Sequence, residues 1–99
     1  MTGPGPLRVV IAEDAALFRE GLARLIADRG HQVVAAVADA GALIAAVAGH
    51  DPDVAVADIR MPPTHTDEGL RAAIEIRRHH PHTGMLMLCL LYTSDAADE

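Results

Sequence analysis

The chain has 99 residues, of which 51% are hydrophobic and 2% aromatic, and its formal net charge is −6. This length allows one domain with a modest core, which must be built from aliphatic and small side chains. The acidic balance argues against direct nucleic-acid binding, and the single cysteine, Cys89, excludes an internal disulfide. No apolar run approaches the roughly 20 residues of a membrane span, and the first residues lack a signal-peptide pattern. We therefore expect a soluble cytoplasmic protein.

The first half of the chain predicts two strand–helix units. Residues 7–12 form a short apolar run rich in β-branched side chains, which predicts a buried strand. The next helix is predicted from apolar residues at helical spacing, which we expect to face the core: Phe18, Leu22, Leu25 and Ile26. Gly30 is typical of a helix end. Residues 31–38 predict a second strand, and Asp39 can cap a second helix that we expect Gly49 to end.

The second half continues this alternation. Residues 54–58 predict a third strand, and residues 85–91 predict a fourth. A third helix between them ends before Pro81 and is predicted from four residues at helical spacing: Leu70, Ala73, Ile74 and Arg77. Strict alternation of strands and helices favours right-handed βαβ units, and hence an α/β fold whose parallel sheet is covered by helices on both faces. The nearly continuous apolar strands agree with a sheet that is buried on both sides.

Three acidic residues stand at the ends of predicted strands. Glu13 and Asp14 follow the first strand, and Asp58 ends the third. Ligands of such sheets collect beyond the carboxyl ends of the strands, so we expect one acidic cleft that holds a hard divalent cation. Each residue alone also has a simpler interpretation. Glu13 and Asp14 are acids at a helix N-terminus, where negative charge is favourable, and Asp58 can form the turn before Arg60.

Two segments together resemble a known family. Residues 11–14 (Ile-Ala-Glu-Asp) and residues 53–62 (Asp-Val-Ala-Val-Ala-Asp-Ile-Arg-Met-Pro) occur in order, separated by one strand–helix unit. This arrangement resembles the receiver domain of two-component response regulators, over roughly residues 7–88. Residues 62–70 are similar to the longer loop of regulators that carry a LuxR-type DNA-binding output domain.

The resemblance implies a flavodoxin-like, doubly wound sheet and a phosphorylated aspartate. Asp58 corresponds to the residue that takes a phosphoryl group from a phosphohistidine of a sensor histidine kinase. Glu13, Asp14 and Asp58 correspond to Mg²⁺ ligands, together with the backbone carbonyl of Arg60. The domain so implied is not an enzyme acting on a separate substrate, because phosphotransfer and self-dephosphorylation involve its own Asp58. Besides the kinase, the resemblance allows a homodimer of the full-length parent, that is, the longer protein of which this chain would be a part. It implies no membrane partner. It implies DNA binding only through a C-terminal domain outside the chain.

The C-terminal residues depart from the family pattern. Cys89 stands where a receiver normally has Ser or Thr after its fourth strand, and the 99 residues include no lysine to end a fifth strand. We therefore expect residues 1–88 to be a partial receiver domain, truncated after the fourth strand. Such a fragment would have a bare sheet face beside the first helix and an unprotected strand edge. Residues 89–99 resemble the translation of a transposon-end adapter from sequencing libraries, so we expect a non-native tail.

Three other functional classes remain open. A phosphatase of the haloacid-dehalogenase type needs Asp-x-Asp after its first strand, and Asp14-Ala15-Ala16 lacks the second aspartate. A nucleotide-binding Rossmann domain needs glycine-rich phosphate contacts, whereas the acidic pair repels phosphate when no metal is bound. A degenerate receiver that acts only as a protein-interaction module fits the departures near the C-terminus, although the intact acidic set argues against it.

Overall fold

One parallel sheet organises the chain. The computed structural model describes residues 5–89. In chain order the elements are β1 Arg8–Ala12, α1 Ala16–Asp28, β2 Gln32–Val37, α2 Ala40–His50, β3 Val54–Asp58, α3 Glu68–His79 and β4 Gly84–Leu88. The strands are all parallel and lie in the order β2-β1-β3-β4. This confirms the predicted flavodoxin-like α/β fold. None of the helices within residues 5–89 is long and apolar enough to cross a membrane.

The central strand β1 is buried on both faces because its side chains alternate between two layers. Val10 and Ala12 pack in the larger core cluster, which α2 and α3 cover. Val9 and Ile11 belong to the smaller cluster under α1. Ile11 is fully buried, and burial of such a side chain stabilises a fold by about 1.5–3 kcal/mol. The apolar run seen in the sequence is therefore explained by helices on both sides of the sheet.

Two predicted helix ends differ in outcome. The expected end near Gly30 is confirmed, because this glycine has a φ of 93°, which residues with a Cβ rarely adopt. The expected end of α2 at Gly49 is wrong: the helix continues to His50 and is ended by Asp51, which has a φ of 48°. Aspartate tolerates this left-handed conformation better than most residues. The guanidinium of Arg8 also donates to the carbonyl oxygens of His50 and Asp51, which holds the helix end against β1.

The other predicted boundaries agree closely with the structure. The Asp39 carboxylate accepts from the N–H of Ala42 at 2.7 Å, as expected of a helix cap. The second strand is one residue shorter at each end than predicted. The fourth begins one residue earlier and ends at Leu88. Residues 90 and 91 of the predicted fourth strand, and almost all of the predicted non-native tail, lie outside the described residues.

The prediction that all four apolar residues of α1 face the core is wrong for two of them. Leu22 and Ile26 pack against the smaller cluster, but Phe18 is 39% exposed and Leu25 is 51% exposed. The reason is that α1 packs mainly over β1 and β2. On the same face of the sheet, Leu86 of β4 is 55% exposed. Within residues 5–89, α1 therefore leaves part of this face near β4 uncovered.

Candidate acidic metal site

The sheet brings the three predicted acidic residues together. β1 and β3 are hydrogen-bonded neighbours, with Ala12 opposite Ala57. The next residues along each strand are therefore adjacent at the carboxyl edge of the sheet. Glu13, Asp14 and Asp58 each offer one carboxylate oxygen, and these oxygens all lie within 4.8 Å of one another.

Glu13 is the buried member of the acidic cluster. Its N–H donates to the carbonyl oxygen of Val37 at 2.9 Å, which extends the sheet by one residue. Its Oε2 accepts from the N–H of Ala15 at 2.9 Å, whereas its Oε1 is buried without a hydrogen-bond partner among residues 5–89. Burial, reinforced by the nearby charge of Asp58, raises the pKa of Glu13 to about 7. A buried oxygen without a partner, beside two further carboxylates, fits a bound hard cation.

Asp14 is partly exposed and makes a contact that no sequence pattern indicates. Nε2 of His65 lies 2.9 Å from its Oδ2. This hydrogen bond is the main cause that lowers the pKa of Asp14 below its ordinary value. The two residues are 51 positions apart, and His65 stands in a polar loop, so neither spacing nor periodicity could have paired them.

Asp58 is 5% exposed and lies at the point where β3 turns into the following loop. Its Oδ1 accepts from the N–H of Arg60 at 3.2 Å, so the turn after the strand orients the carboxylate. Ile59 donates its N–H to the carbonyl oxygen of Leu88 at 3.0 Å, which ties this turn to β4. Met61 is fully buried and anchors the start of the loop in the larger core cluster. The metal-binding role of the Arg60 carbonyl stays a prediction.

Gly69, in the first turn of α3, is a site residue that the sequence analysis did not identify. Its N–H donates to the carbonyl oxygen of Ile59 at 2.8 Å. A Cβ at position 69 would lie 1.8 Å from the carbonyl oxygen of Asp58, so only glycine allows α3 to approach this closely. Gly69 falls in the predicted loop of residues 62–70, so no local pattern indicated this role.

Hydrogen bonds to Glu68 organise the loop between β3 and α3. The Glu68 carboxylate accepts from the N–H of Thr64 at 2.8 Å and from the N–H of Thr66 at 3.1 Å. It also accepts from the hydroxyl of Thr64. These bonds lower the pKa of Glu68 to about 2, because they stabilise its ionised form. The loop that carries His65 is therefore held in place by hydrogen bonds to Glu68, the first residue of α3.

Comparison with known proteins identifies the family. Residues 9–98 match the sequence model of the response regulator receiver domain. The chain belongs to this family. Over 83 residues it is 36% identical to the transcriptional regulatory protein PdtaR of Mycobacterium tuberculosis, covering 77% of this chain and 39% of PdtaR. Over 91 residues it is 36% identical to the regulatory protein NarL of the same species, covering 89% of this chain and 41% of NarL.

Solved structures support the same assignment. The signal receiver domain of NarL from M. tuberculosis aligns with a TM-score of 0.77 and 33% identity, covering 93% of this chain and 73% of that domain. A LuxR-family two-component response regulator from Aurantimonas sp. SI85-9A1 aligns with a TM-score of 0.79 and 31% identity, covering 94% of this chain and 65% of the other. The predicted family, and its likeness to LuxR-type regulators, are confirmed. The chain spans about two fifths of the length of the curated relatives PdtaR and NarL.

Proposed function

We propose that this chain is a phospho-accepting receiver domain, in which Asp58 takes a phosphoryl group from a phosphohistidine of a sensor histidine kinase. The observation that carries the proposal is the meeting of Glu13, Asp14 and Asp58, with one carboxylate oxygen of each within 4.8 Å of the others. Membership of the receiver family agrees with this role.

Mg²⁺ fits the donors that the cluster offers. Glu13, Asp14 and Asp58 would hold the ion, together with the backbone carbonyl of Arg60. Each of these residues offers oxygen, the ligand atom that Mg²⁺ prefers. Three carboxylates this close repel one another, and the raised pKa of Glu13 reflects the cost of charging a buried member of the group. When bound, Mg²⁺ offsets this charge and the charge on the phosphoryl oxygens.

Asp58 is positioned to act as the nucleophile. The Arg60 N–H holds its Oδ1, and the carboxylate is nearly buried at the edge of the sheet. In the proposed reaction a carboxylate oxygen of Asp58 forms a bond to phosphorus while the P–N bond of the phosphohistidine breaks. The electron pair of that bond stays on the imidazole nitrogen. The product is an acyl phosphate on the domain itself, so the protein acts as a signalling domain and its phosphotransfer chemistry is confined to Asp58.

In the full-length parent, phosphorylation would control a DNA-binding output domain. This part of the proposal is supported by the similarity to PdtaR and NarL, which are named as transcriptional regulatory proteins and extend well beyond the matched region. The parent would work in the cytoplasm, where the kinase and promoter are accessible, and the resemblance allows it to form a homodimer. This chain has a net charge of −6, and DNA is negatively charged. Its acidity therefore agrees with a DNA-binding surface located elsewhere in the parent.

Phosphorylation with a small phosphodonor tests the assignment. The chain would be incubated with acetyl phosphate, with either MgCl₂ or EDTA, and its intact mass measured. We expect one phosphoryl group to be added with MgCl₂ and none with EDTA. Asp58→Asn should abolish the addition, whereas Asp28→Asn, on the exposed face of α1, should leave it unchanged. Uptake by the Asp58→Asn variant at the wild-type rate would contradict the proposal.

A second candidate is a receiver fragment that does not switch and acts only as a protein-interaction module. Two observations favour it: the chain has no lysine, and the residue after β4 is Cys89, whose thiol is a weaker hydrogen-bond donor than a hydroxyl. Amide NMR spectra with MgCl₂, before and after addition of beryllofluoride, separate the two candidates. Shift changes that reach α3 and β4 indicate a switching receiver. Changes confined to residues beside Asp58 indicate the non-switching module.

A further inference from the structure

The imidazole of His65 contacts the acidic cluster from outside. Its Nε2 lies 2.9 Å from Oδ2 of Asp14, and the His65 side chain is about half exposed. The Asp14 carboxylate makes this contact while one of its oxygens stays within 4.8 Å of an oxygen of Glu13 and of Asp58. The same conformation of Asp14 therefore serves both His65 and the cluster.

The loop holds His65 in an unfavourable backbone conformation. Its φ is 57°, in the left-handed region, which is uncommon for residues with a Cβ although histidine adopts it more often than most of them. The N–H of His65 donates to the carbonyl oxygen of Met61 at 2.9 Å, and Met61 is fully buried. On either side, Thr64 and Thr66 are bound to Glu68. Such strain persists only where the surrounding contacts impose it, and it is concentrated at functional sites.

A carboxylate in this position needs an external partner to stay in place. Asp14 is partly exposed and lies beside the Asp58 carboxylate, so repulsion between these two groups favours rotation of the Asp14 side chain into solvent. A carboxylate has about four lone-pair positions on two oxygens, and one hydrogen bond leaves most of them for a cation. An imidazole N–H on Oδ2 therefore holds Asp14 toward the cluster without blocking a metal ion.

We propose that His65 is a positioning residue, which holds the Asp14 carboxylate in the orientation that binds a divalent cation. This inference rests on the proposed function, because it assumes that the cluster binds Mg²⁺. His65 is not a metal ligand in this proposal; it acts through Asp14. Groups that orient metal ligands contribute strongly to affinity, and their removal typically weakens metal binding by about 10–100-fold.

Three substitutions separate the hydrogen bond from the backbone conformation. His65→Gly removes the imidazole and relieves the left-handed strain. His65→Asn also suits a positive φ, but its amide nitrogen lies one bond closer to the backbone than Nε2 of histidine. His65→Gln places an amide N–H at the same number of bonds from Cα as Nε2. If His65 has a purely structural role in the loop, His65→Gly and His65→Asn should preserve the affinity for Mg²⁺. If His65 positions Asp14, His65→Gln should preserve this affinity best.

Mg²⁺ affinity is the quantity to measure, by isothermal titration of the 99-residue chain with MgCl₂. We expect His65→Gly and His65→Asn to raise the dissociation constant by about 10-fold or more. We expect His65→Gln to recover most of the wild-type affinity. Asp14→Asn serves as the control that removes the ligand itself, and it should weaken binding at least as much as His65→Gly.

The outcomes distinguish this inference from the proposed function. If the wild-type chain binds Mg²⁺ and His65→Gly binds it equally well or more tightly, His65 does not position Asp14 and the inference is overturned alone. The same conclusion follows if His65→Gln binds no better than His65→Gly. If the wild-type chain takes up no Mg²⁺ at all, the proposed metal site fails and the inference falls with it.

Discussion

Gly69 meets the backbone of Asp58 so closely that a Cβ at position 69 would lie 1.8 Å from the Asp58 carbonyl oxygen. The first turn of α3 is therefore packed directly on the residue proposed to carry the phosphoryl group. The Gly69 N–H also donates to the carbonyl oxygen of Ile59 at 2.8 Å. Any movement of the strand end at Asp58 must consequently move the start of α3.

Substitution of Gly69 tests this close contact. Gly69→Ala must push α3 away from β3, and such overpacking costs about 1–3 kcal/mol of unfolding free energy, measurable by urea denaturation. Gly21→Ala is the matched control, because a Cβ at this helical position in α1 would meet nothing within 4 Å. It should stabilise the chain by about 0.5–1 kcal/mol. Equal effects of the two substitutions would show that the contact with Asp58 is not tight.

The stability of the metal-free chain should depend on the ionisation of Glu13. Its pKa is raised from 4.5 to about 7, so the folded chain holds a proton that the unfolded chain releases above pH 4.5. The stabilisation from this proton is therefore complete below pH 4.5 and is lost as the pH rises through about 7. At 1.36 kcal/mol per unit of pKa, the loss amounts to about 3 kcal/mol.

Urea denaturation in EDTA at several pH values between 4.5 and 8 measures this loss. Glu13→Gln should remove this loss of stability, because an amide does not titrate. Glu20→Gln, at an exposed position of α1, should retain the loss. The histidines also titrate in this pH range and contribute equally to both curves. Subtracting the Glu13→Gln curve of unfolding free energy against pH from the wild-type curve therefore leaves the contribution of Glu13. A wild-type curve parallel to that of Glu13→Gln would show that Glu13 is ionised in the folded chain throughout this range.

Mg²⁺ should stabilise the chain, and more strongly at high pH. A ligand present at 100 times its dissociation constant stabilises the folded state by about 2.7 kcal/mol. A proton on Glu13 competes with the metal, so the gain in melting temperature on adding MgCl₂ should be greater at pH 8 than at pH 5.5. Asp58→Asn should reduce the gain at both pH values. An equal gain in wild type and Asp58→Asn would place the binding of Mg²⁺ outside the acidic cluster.

Met61 should be important for stability although it lies in the loop that leaves the site. It is fully buried in the larger core cluster, so Met61→Ala should cost about 2–5 kcal/mol of unfolding free energy. Leu86→Ala is the control, because Leu86 is 55% exposed. Its cost should stay within about 0.5 kcal/mol, the usual range for surface substitutions. A small effect of Met61→Ala would mean that the loop is not anchored in the core.

The sequence was sufficient to predict where the acidic residues meet. Apolar runs ending in Glu13 and Asp58 indicate parallel strands, and parallel strands bring their carboxyl ends to one edge. The pairing of Ala12 with Ala57 confirms this expectation. The prediction succeeded because it needed only the identity and direction of two neighbouring strands.

Contacts that depend on three-dimensional packing could not be predicted in the same way. Periodicity placed Phe18 and Leu25 in the core, but their exposure depends on how much of the sheet α1 covers. His65 meets Asp14 through a loop whose conformation is set by hydrogen bonds to Glu68. Gly69 is needed because a helix lies against a strand end, a relationship that no local pattern encodes.

The proposed role of Asp58 is tested by locating the phosphoryl group on the chain. After reaction with acetyl phosphate and MgCl₂, the chain would be treated with borohydride, which reduces an acyl phosphate to an alcohol, and digested for peptide mass spectrometry. We expect homoserine at position 58 and at no other aspartate. Reduction at Asp14 or Asp53 instead of Asp58, or a phosphoryl group on a histidine, would contradict the proposed role.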